Sequence, residues 1–317
     1  MTKTNLRDLS NVVFLRREAL ADGYSDRAIK RKLDSGEWQR VRAGAYVGGE
    51  LWRDLGDEDR HRVRARAVLR TSHESTVLSH VSAALEHGAP VWGIDLSEVH
   101  VTRTDGRSRR REAGVVHHRG KLEADQVATL GDVRATTALR TVFEVTTVTD
   151  VESALVTVDG LLRLAKPDAE ALDDLRRQVR HWPHSLSAEV VLRLADPRRE
   201  SAAESRAAYL CWSQKLPRPE PQVPICDERG AEFARVDFAW PELGVFMEVD
   251  GRAKYLIHRR EGESLEAYLM REKRREERIC MLTGWVCIRL TWADLGTPRS
   301  TARRIRGVLG SRQAATA

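Results

Sequence analysis

The 317-residue chain lacks the cysteine pairs that mark many zinc sites. Its four cysteines show no Cys-x-x-Cys spacing, so a cysteine-based zinc site is not expected. In a reducing compartment such residues are free thiols, and we expect this of Cys211, Cys226, Cys280 and Cys287.

Long apolar segments are also missing. The opening residues MTKTNLRDLS contain no apolar stretch of the kind that a signal peptide needs, and no run elsewhere approaches the length of a membrane span. We therefore expect a cytoplasmic protein. A glycine-rich phosphate loop, a nucleophile elbow and a dinucleotide fingerprint are absent as well, which argues against several common enzyme classes.

Charge is abundant and slightly unbalanced. Lys and Arg outnumber Asp and Glu by 53 to 47, which gives a formal net charge of +6. The hydrophobic fraction of 41% is typical of a globular chain, and the length allows two or three domains. A positive excess favours nucleic acid as a partner, because each cation that neutralises a phosphate releases counterions.

The most informative segment is a predicted β-hairpin in the last third of the chain. Phe233 to Trp240 and Val245 to Asp250 alternate as strands do, and Pro241-Glu242-Leu243-Gly244 reads as the turn. Ten residues separate Asp237 from Glu248. This spacing predicts that both carboxylates lie on one face of the hairpin, together with Asp250.

Carboxylates on one face repel one another unless a cation or protons neutralise them. Hard divalent ions take oxygen ligands of this kind, and such an ion can polarise a phosphoryl oxygen and activate a water. Asp237, Glu248 and Asp250 therefore predict a site for Mg²⁺ or Mn²⁺. The same region supplies cations for a phosphodiester: Arg252, Lys254, Arg259 and Arg260.

Helices are predicted on both sides of the hairpin. Ser201 to Trp212 forms the first and carries Glu204, and the proline-rich segment from Pro217 to Pro224 ends it and spaces it from the hairpin. Leu265 to Leu282 forms the second, and a third strand runs from Trp285 to Leu290. The expected order is helix, strand, strand, helix, strand.

This order and its residues resemble the PD-(D/E)XK nuclease superfamily, most closely its Vsr-like branch. The matching residues are Glu204-Ser205, Arg235-Val236-Asp237-Phe238, Glu248-Val249-Asp250-Gly251, Glu272-Lys273-Arg274-Arg275 and Gly284-Trp285. The resemblance implies a restriction-endonuclease-like α/β core in which Asp237 and Glu248 bind Mg²⁺ and Glu204 completes the site.

One position departs from that superfamily. A lysine usually stands two residues after the Glu, where it orients the attacking water, and here that position is Asp250. Two interpretations stay open. Either Asp250 is a further metal ligand and Lys254 or Lys273 supplies the cation, or the site has lost catalysis.

The first fifty residues carry a different pattern. A predicted helix over Phe14 to Leu20 is followed by a short helix over Asp26 to Ser35, for which Ser25 is a good N-cap. Trp38 to Val47 then reads as a hairpin that turns at Gly44. This layout is typical of a winged helix-turn-helix. Its cations are expected to contact DNA: Arg27, Lys30, Arg31, Arg40 and Arg42.

This N-terminal region resembles the DNA-binding domain of AbiEi-type antitoxins, and the similarity to actinobacterial AbiEi-like proteins continues further along the chain. The matching segments are Gly23 to Ser25, Arg40 to Val47, Leu78 to Ala84, Val99 to Thr102 and Thr136 to Val142. Glu144 replaces the Asp usual at its position. The resemblance implies a DNA-binding repressor whose partner is a nucleotidyltransferase toxin.

The middle of the chain predicts a mixture of helices and strands: helices over His73 to Glu86, Ala138 to Val148 and Val151 to Leu164, and strands over Val99 to Thr102 and Val115 to His118. The histidines of this region lack the spacing of a known zinc motif. Structural or surface roles are therefore expected for His80, His100, His117 and His118.

The predicted architecture is an α+β multidomain protein. A winged-helix domain covers residues 1–54, a mixed α/β middle domain 55–195 and a restriction-endonuclease-like domain 196–317. The leading expectation is a DNA-binding protein with an Mg²⁺-dependent endonuclease domain. A repair or defence endonuclease guided by the winged helix would share this chemistry and differ in its target. The alternative is a non-catalytic transcriptional regulator or antitoxin that keeps the nuclease fold as a platform, which the missing lysine favours.

Overall fold

The computed structural model describes residues 9, 11–106, 113–168, 170–171, 173–174, 177, 185–250 and 263–316. It is a mixed α/β protein with three β-sheets. The chain divides into two compact units, Met1–Glu189 (unit 1) and Val190–Ala317 (unit 2). This boundary lies close to the predicted one at residues 195/196, whereas the finer division at residues 54/55 stays a prediction.

Unit 1 begins with a three-stranded sheet in the order β1-β3-β2. Its elements are β1 Phe14–Leu15, α1 Arg16–Ala21, α2 Asp26–Asp34, β2 Trp38–Arg42, β3 Ala45–Gly48 and α3 Gly49–Asp54. Ser25 Oγ caps α2 by accepting from the backbone N–H of Ala28, as predicted. Phe14 and Leu15 were expected in a helix, but they pair with Tyr46 and Ala45 and bury their apolar side chains there.

The rest of unit 1 contains a five-stranded sheet in the order β6-β5-β4-β8-β7. Its elements are α4 Asp57–Thr71, β4 Thr76–Leu78, α5 His80–Glu86, β5 Val99–Arg103, β6 Val115–His118, a 3₁₀ turn Ala124–Gln126, β7 Val127–Leu130, β8 Val133–Thr136, α6 Ala138–Thr146 and α7 Val151–Ala165. Strands β5 and β6 run parallel.

Helix α4 packs against both sheets of unit 1. Val63 and Ala67 belong to the apolar cluster of the three-stranded sheet. Ala65 and Val68 belong to the cluster of the five-stranded sheet. Because a helix turns every 3.6 residues, these two pairs point to different sides of α4. One helix therefore contributes side chains to two apolar cores.

The predicted helix over His73 to Glu86 is wrong in its first half. Thr76 to Leu78 form β4, which pairs with β5 on one side and β8 on the other. Both Val77 and Leu78 are fully buried in the sheet. The β-branched residues Thr76 and Val77 suit a strand, and α5 begins only at His80.

Unit 2 is built on a four-stranded sheet in the order β12-β11-β10-β9. Helix α8 Ser185–Leu194 leads into it across the unit boundary. The other elements are α9 Ala202–Ser213, β9 Glu220–Cys226, β10 Glu232–Trp240, a 3₁₀ turn Pro241–Leu243, β11 Val245–Asp250, α10 Leu265–Thr283, β12 Val286–Thr291, α11 Trp292–Leu295 and α12 Pro298–Thr316. The predicted hairpin and the end of α10 at Gly284 are confirmed.

The two faces of this sheet bury different apolar clusters. Phe238 and Met247 point to one face, in the cluster formed with α9 and α12. Ala239 and Phe246 point to the other face and pack with Ile279 of α10. The strand alternation that separates these sets also decides which face receives Asp237 and Glu248.

Two segments of unit 2 differ from the sequence prediction. The proline-rich stretch expected as a spacer contains β9, which pairs with β10 in an antiparallel register. Pro221 and Pro224 are tolerated there because β9 is an edge strand and needs hydrogen bonds on one side only. The tail expected to fray from Ser311 is helical to Thr316, and Arg312 of this helix donates to Leu243 O at 3.2 Å.

Among the described helices, none combines the length and apolar character that crossing a membrane requires.

Candidate functional site

Asp237 and Glu248 lie on the same face of β10 and β11. The antiparallel register pairs Trp240 with Val245 and ends at Phe238 with Met247, and Asp237 and Glu248 are the next residues along the two strands. The Asp237 carboxylate accepts the backbone N–H of Val249 at 2.8 Å. Both side chains are largely buried, at 8% and 6% exposure. The predicted shared face of these two carboxylates is thus present.

Among the described residues, Arg275 of α10 is a cation that contacts Glu248. Its Nη1 lies 3.2 Å from Glu248 Oε1 and 3.5 Å from Glu272 Oε2. Its Nη2 also donates to the backbone oxygen of Arg235. Lys273, the cation expected from the sequence, lies on the outer side of the helix, where it is 70% exposed and 3.9 Å from Glu277.

Helical spacing explains why Arg275 rather than Lys273 faces the sheet. Tyr268 and Ile279 are buried on the inner side of α10. Arg275 stands seven residues after the first and four before the second, so it shares their side of the helix. Lys273 stands two residues before Arg275, a little over half a turn away. The sequence already contains this periodicity, and it favours Arg275 over Lys273 as the cation that faces the sheet.

Asp250 forms an ion pair with a residue of the neighbouring strand β12. Arg289 of β12 contacts both oxygens of Asp250, at 3.1 and 3.0 Å, and its Nη2 contacts Glu276 at 2.5 Å. Burial opposes the charge of Arg289, but its contacts with Glu276 and Asp250 outweigh that effect and raise the guanidinium pKa. Asp250 is therefore committed to an ion pair with a neighbouring strand.

Glu204 has a local role at the start of α9. Its carboxylate accepts from Ser201 Oγ at 2.7 Å and from the backbone N–H of Glu200 at 2.9 Å. Ser201 Oγ in turn caps the N–H of Glu204. Gln222 of β9 donates to the same carboxylate at 2.9 Å. This nearly buried residue therefore acts as a helix cap that ties α9 to the edge strand.

The expected convergence of three carboxylates is not found in the described part of unit 2. No set of three His, Cys, Asp or Glu side chains there has ligand atoms within 4.8 Å of one another. Asp250 stands two residues after Glu248, about 6.6 Å along the strand, and turns to Arg289. Asp237 and Glu248 remain as a pair on one face. Lys254 and the arginines 252, 259 and 260 lie outside the described residues.

The cations predicted to contact DNA lie on the first helices and hairpin of unit 1. Arg27, Lys30 and Arg31 are exposed on α2, whose Ile29 is buried on the opposite side. Arg40 is exposed on β2, and Arg42 is half-buried. Four of the five predicted cations are thus accessible.

Three imidazoles for which the sequence predicts structural or surface roles come together in unit 1. His80, His100 and His118 each offer a nitrogen within 4.8 Å of the others, and no other such set of three occurs among the described residues. Nδ1 of His100 lies 2.8 Å from Nε2 of His118. The rings of His80 and His118 stack with centroids 3.4 Å apart. Adjacent His117 alternates to the other face, as predicted.

Burial keeps these imidazoles neutral. Desolvation lowers the pKa of His100 to about 4 and, with the neighbouring His100, lowers that of His118 to about 4. The pKa of His80 is lowered well below its usual value, chiefly by burial and then by His118. The sequence hid this cluster because it depends on the parallel pairing of β5 with β6 and on β4, which was predicted as helix.

Glu144 supports the same region from α6. Its carboxylate accepts from the backbone N–H of His80 at 3.1 Å, from Thr136 Oγ1 at 2.8 Å and from Arg140 Nε at 2.9 Å. Burial raises the pKa of Glu144, against the attraction of Arg140. Glu144 therefore holds the start of α5 in place.

Comparison with known proteins gives distant relatives. No family model matches the chain. The chain is 29% identical over 219 residues to the "Uncharacterized protein MT2308" of Mycobacterium tuberculosis (strain CDC 1551 / Oshkosh), covering 68% of this chain and 76% of that protein. It has the same identity and coverage with the "Uncharacterized protein Rv2248" of Mycobacterium tuberculosis (strain ATCC 25618 / H37Rv). The chain is thus similar over two thirds of its length to mycobacterial proteins of comparable size.

Proposed function

We propose that unit 2 hydrolyses DNA phosphodiester bonds with Mg²⁺ or Mn²⁺, and that the N-terminal part of unit 1 directs it to DNA as an AbiEi-like winged helix. One observation carries the catalytic proposal. Asp237 and Glu248 lie on the same face of β10 and β11, just beyond their last paired residues, and Arg275 contacts Glu248. The Vsr-like resemblance assigns metal binding to these same two carboxylates.

Two carboxylates suffice for a hard divalent ion of this kind. Mg²⁺ is commonly held by one or two carboxylates together with waters and substrate phosphates. An ion bound by Asp237 and Glu248 would leave coordination positions for a water and a phosphoryl oxygen. Arg275, within 3.2 Å of Glu248, supplies the cation for developing charge that a lysine usually provides. Glu204 then acts as a support that fixes α9 to the sheet.

The DNA-binding proposal rests on charge and exposure in unit 1. Arg27, Lys30 and Arg31 project from α2 away from its buried Ile29, and Arg40 projects from the hairpin. A helix with this distribution can enter a major groove while a basic hairpin contacts phosphate. The proposed site of action is the cytoplasm, where bacterial DNA lies.

The decisive experiment is nicking of supercoiled plasmid by purified full-length protein in Mg²⁺ or Mn²⁺. We expect Asp237→Asn and Glu248→Gln to lower the rate about 100-fold or more, because each removes a metal-binding charge while keeping the shape of the side chain. Glu242→Gln is the matched control, since Glu242 is an exposed carboxylate in the turn of the same hairpin. It should nick at the wild-type rate.

Equal, background-level nicking by wild type and Asp237→Asn would refute catalysis. If Glu242→Gln also nicks more slowly than wild type, the loss of rate in all three variants would be due to a damaged hairpin. Calorimetric Mn²⁺ titration of the same proteins tests the metal site separately, without any assumption about the substrate.

A second candidate function has its own observation. Asp250 stands where a catalytic lysine usually stands and is paired with Arg289 at 3.0 Å, and Glu248 is paired with an arginine. This favours a non-catalytic regulator or antitoxin that binds DNA and a nucleotidyltransferase toxin. For that function, binding to the DNA upstream of its own gene should persist in EDTA, and Arg27→Ala with Arg31→Ala should abolish it.

A further inference from the structure

The five-stranded sheet of unit 1 gathers three imidazoles on one face. His100 of β5 and His118 of β6 lie on parallel strands in which Thr102 pairs with His118, so the two histidines stand on the same side of neighbouring strands. His80 is the first residue of α5 and directly follows β4 and Ser79. Rigid elements thus hold the three ligand-type side chains within reach of one another.

The backbone at His80 adopts an unusual conformation. Its φ of 52° lies in the left-handed region, which residues other than glycine rarely adopt. The conformation is held by Glu144, which accepts the His80 N–H at 3.1 Å. Such backbone strain persists only where the surroundings impose it, and it occurs often at ligand-binding positions. Here it directs the His80 ring towards His100 and His118.

A hydrogen bond orients the His80 ring in the manner of a metal site, and a second one fixes the backbone of His100. Ser79 Oγ lies 2.9 Å from His80 Nδ1, and Thr102 Oγ1 donates to the same Ser79 oxygen at 2.9 Å. An Nδ1–H that donates to Ser79 leaves the lone pair on Nε2. Ser82 Oγ accepts the backbone N–H of His100 at 2.8 Å. Metal-ligating histidines are typically fixed by partners of this kind.

The charge state of the cluster also suits a metal. Only a neutral imidazole nitrogen has a lone pair to donate. Burial lowers the pKa of His100 and His118 to about 4, so both rings are neutral at neutral pH. His80 is buried, whereas His100 and His118 are half-buried and keep some solvent exposure, through which an ion and a water ligand would reach the site.

We propose that His80, His100 and His118 bind one divalent transition metal of the Zn²⁺ class, with a fourth coordination position open to water. An all-nitrogen ligand set selects borderline metals such as Zn²⁺ over Mg²⁺. In a tetrahedral site with Zn–N of about 2.0–2.1 Å, two ligating nitrogens stand about 3.3 Å apart. The contact of 2.8 Å between His100 and His118 is within about half an ångström of that separation, and metal binding would unstack His80 from His118.

The competing arrangement is a metal-free stack held by the hydrogen bond between His100 and His118. Titration of metal-stripped full-length protein with Co²⁺ distinguishes the metal-free stack from the metal site, because Co²⁺ absorbs visible light strongly at low coordination number. We expect one equivalent of Co²⁺ to saturate the signal and Zn²⁺ to displace it. Both His100→Gln and His118→Gln should lose the band, and Ser79→Ala should weaken binding about 10- to 100-fold.

His117→Gln is the matched control, because His117 is adjacent on the same strand and faces the opposite way. It should keep the full Co²⁺ signal. Circular dichroism of the metal-free variants shows whether each is folded, and having two ligand variants guards against one misfolding.

The proposal is overturned if wild type gives no such band, or if His118→Gln keeps it, which would mark adventitious binding elsewhere. Asp237→Asn should retain the band, so this site and the proposed nuclease site stand or fall separately.

Discussion

The two units place ionisable side chains against a β-sheet in opposite charge states. In unit 1, burial lowers the pKa of His61 and His118 to about 4, so these rings are neutral at neutral pH. In unit 2, Glu248 lies 3.2 Å from the guanidinium of Arg275, and the two form an ion pair in which the arginine is partly exposed. The histidines of unit 1 lose their charge by losing protons, whereas Glu248 of unit 2 has its charge balanced by an arginine.

This difference decides which cation each sheet could accept. Neutral imidazoles can donate their lone pairs to a borderline metal once their rings have turned. Carboxylates already engaged by arginine can bind a hard ion only if the ion competes with the guanidinium or if arginine moves to a phosphate. The comparison therefore predicts different responses to substitution, to pH and to metal in the two units.

The largest expected effect concerns the buried carboxylate of unit 1. Glu144 is 1% exposed and lies 2.9 Å from Arg140, which is 8% exposed. Glu144→Ala would leave the Arg140 charge buried and the His80 N–H without this acceptor. We expect it to lower the free energy of unfolding by about 3–5 kcal/mol, measured by urea denaturation.

Two comparisons test the cause of that loss. Glu123→Ala removes the exposed ion pair with Lys121 and should leave the free energy of unfolding almost unchanged. Arg140→Met combined with Glu144→Leu should recover much of the stability, because no charge is left buried. A double variant as unstable as Glu144→Ala would mean that the hydrogen bonds of Glu144, and not its charge, hold the region.

The next effect is a pH dependence of unit 1. The pKa of His61 is about 4 in the folded protein and 6.5 in its ordinary state. Between these values the unfolded chain binds the extra proton, so the free energy of unfolding falls as pH falls from 6.5 towards 4. A shift of this size corresponds to roughly 3 kcal/mol for one histidine. Above pH 6.5 the contribution is fully present.

Urea unfolding at a series of pH values in chelator measures this dependence, and pulse proteolysis assigns each transition to a unit. His61→Gln should make the pH profile of unit 1 less steep by the share of one histidine, because His100 and His118 still contribute. His73→Gln, at an exposed position, should leave the profile unchanged. The His61 ring is bonded to Leu96 O at 2.9 Å and Ser82 Oγ at 2.8 Å, so the variant will also lower stability at neutral pH. A profile unchanged by His61→Gln would contradict the assignment.

Local patterns made unit 2 the more predictable region. The hairpin from Glu232 to Asp250 follows from strand alternation and from turn residues that end at Gly244, whose φ is 59°. Both signals are adjacent in sequence, and they suffice to place Asp237 and Glu248 on one face. The strand β9 was missed because its prolines resemble a linker, and only its edge position makes them acceptable.

The histidine cluster of unit 1 could not be predicted in the same way. Its members come from three elements, and the parallel pairing of β5 with β6 is a long-range contact that no local pattern encodes. His80 was further hidden because Thr76 to Leu78 read as the start of a helix. Whether His100 and His118 lie on the same face of the sheet depends on the register of the two strands, which tertiary packing decides.

The smallest expected effect distinguishes the two sides of α10. Arg275 faces Glu248 from the inner side, whereas Lys273 is 70% exposed on the outer side. If Arg275 competes with a divalent ion for Glu248, Arg275→Met should raise Mn²⁺ affinity about tenfold, which needs a gain of only about 1.4 kcal/mol in binding free energy. Lys273→Met should leave the affinity unchanged, because its charge is screened by solvent.

Calorimetric titration of Mn²⁺ into both variants measures the change in affinity. The nicking rate of the same variants then separates an effect on metal binding from an effect on catalysis. If Arg275 also stabilises charge on the phosphate, Arg275→Met will bind Mn²⁺ more tightly and cleave more slowly, whereas loss of a mere competitor would increase both. Equal Mn²⁺ affinities in Arg275→Met and Lys273→Met would mean that the guanidinium does not compete for Glu248. Unit 2 would then hold its carboxylate pair open to metal much as unit 1 holds its imidazoles, and the contrast between the two sheets would reduce to ligand type alone.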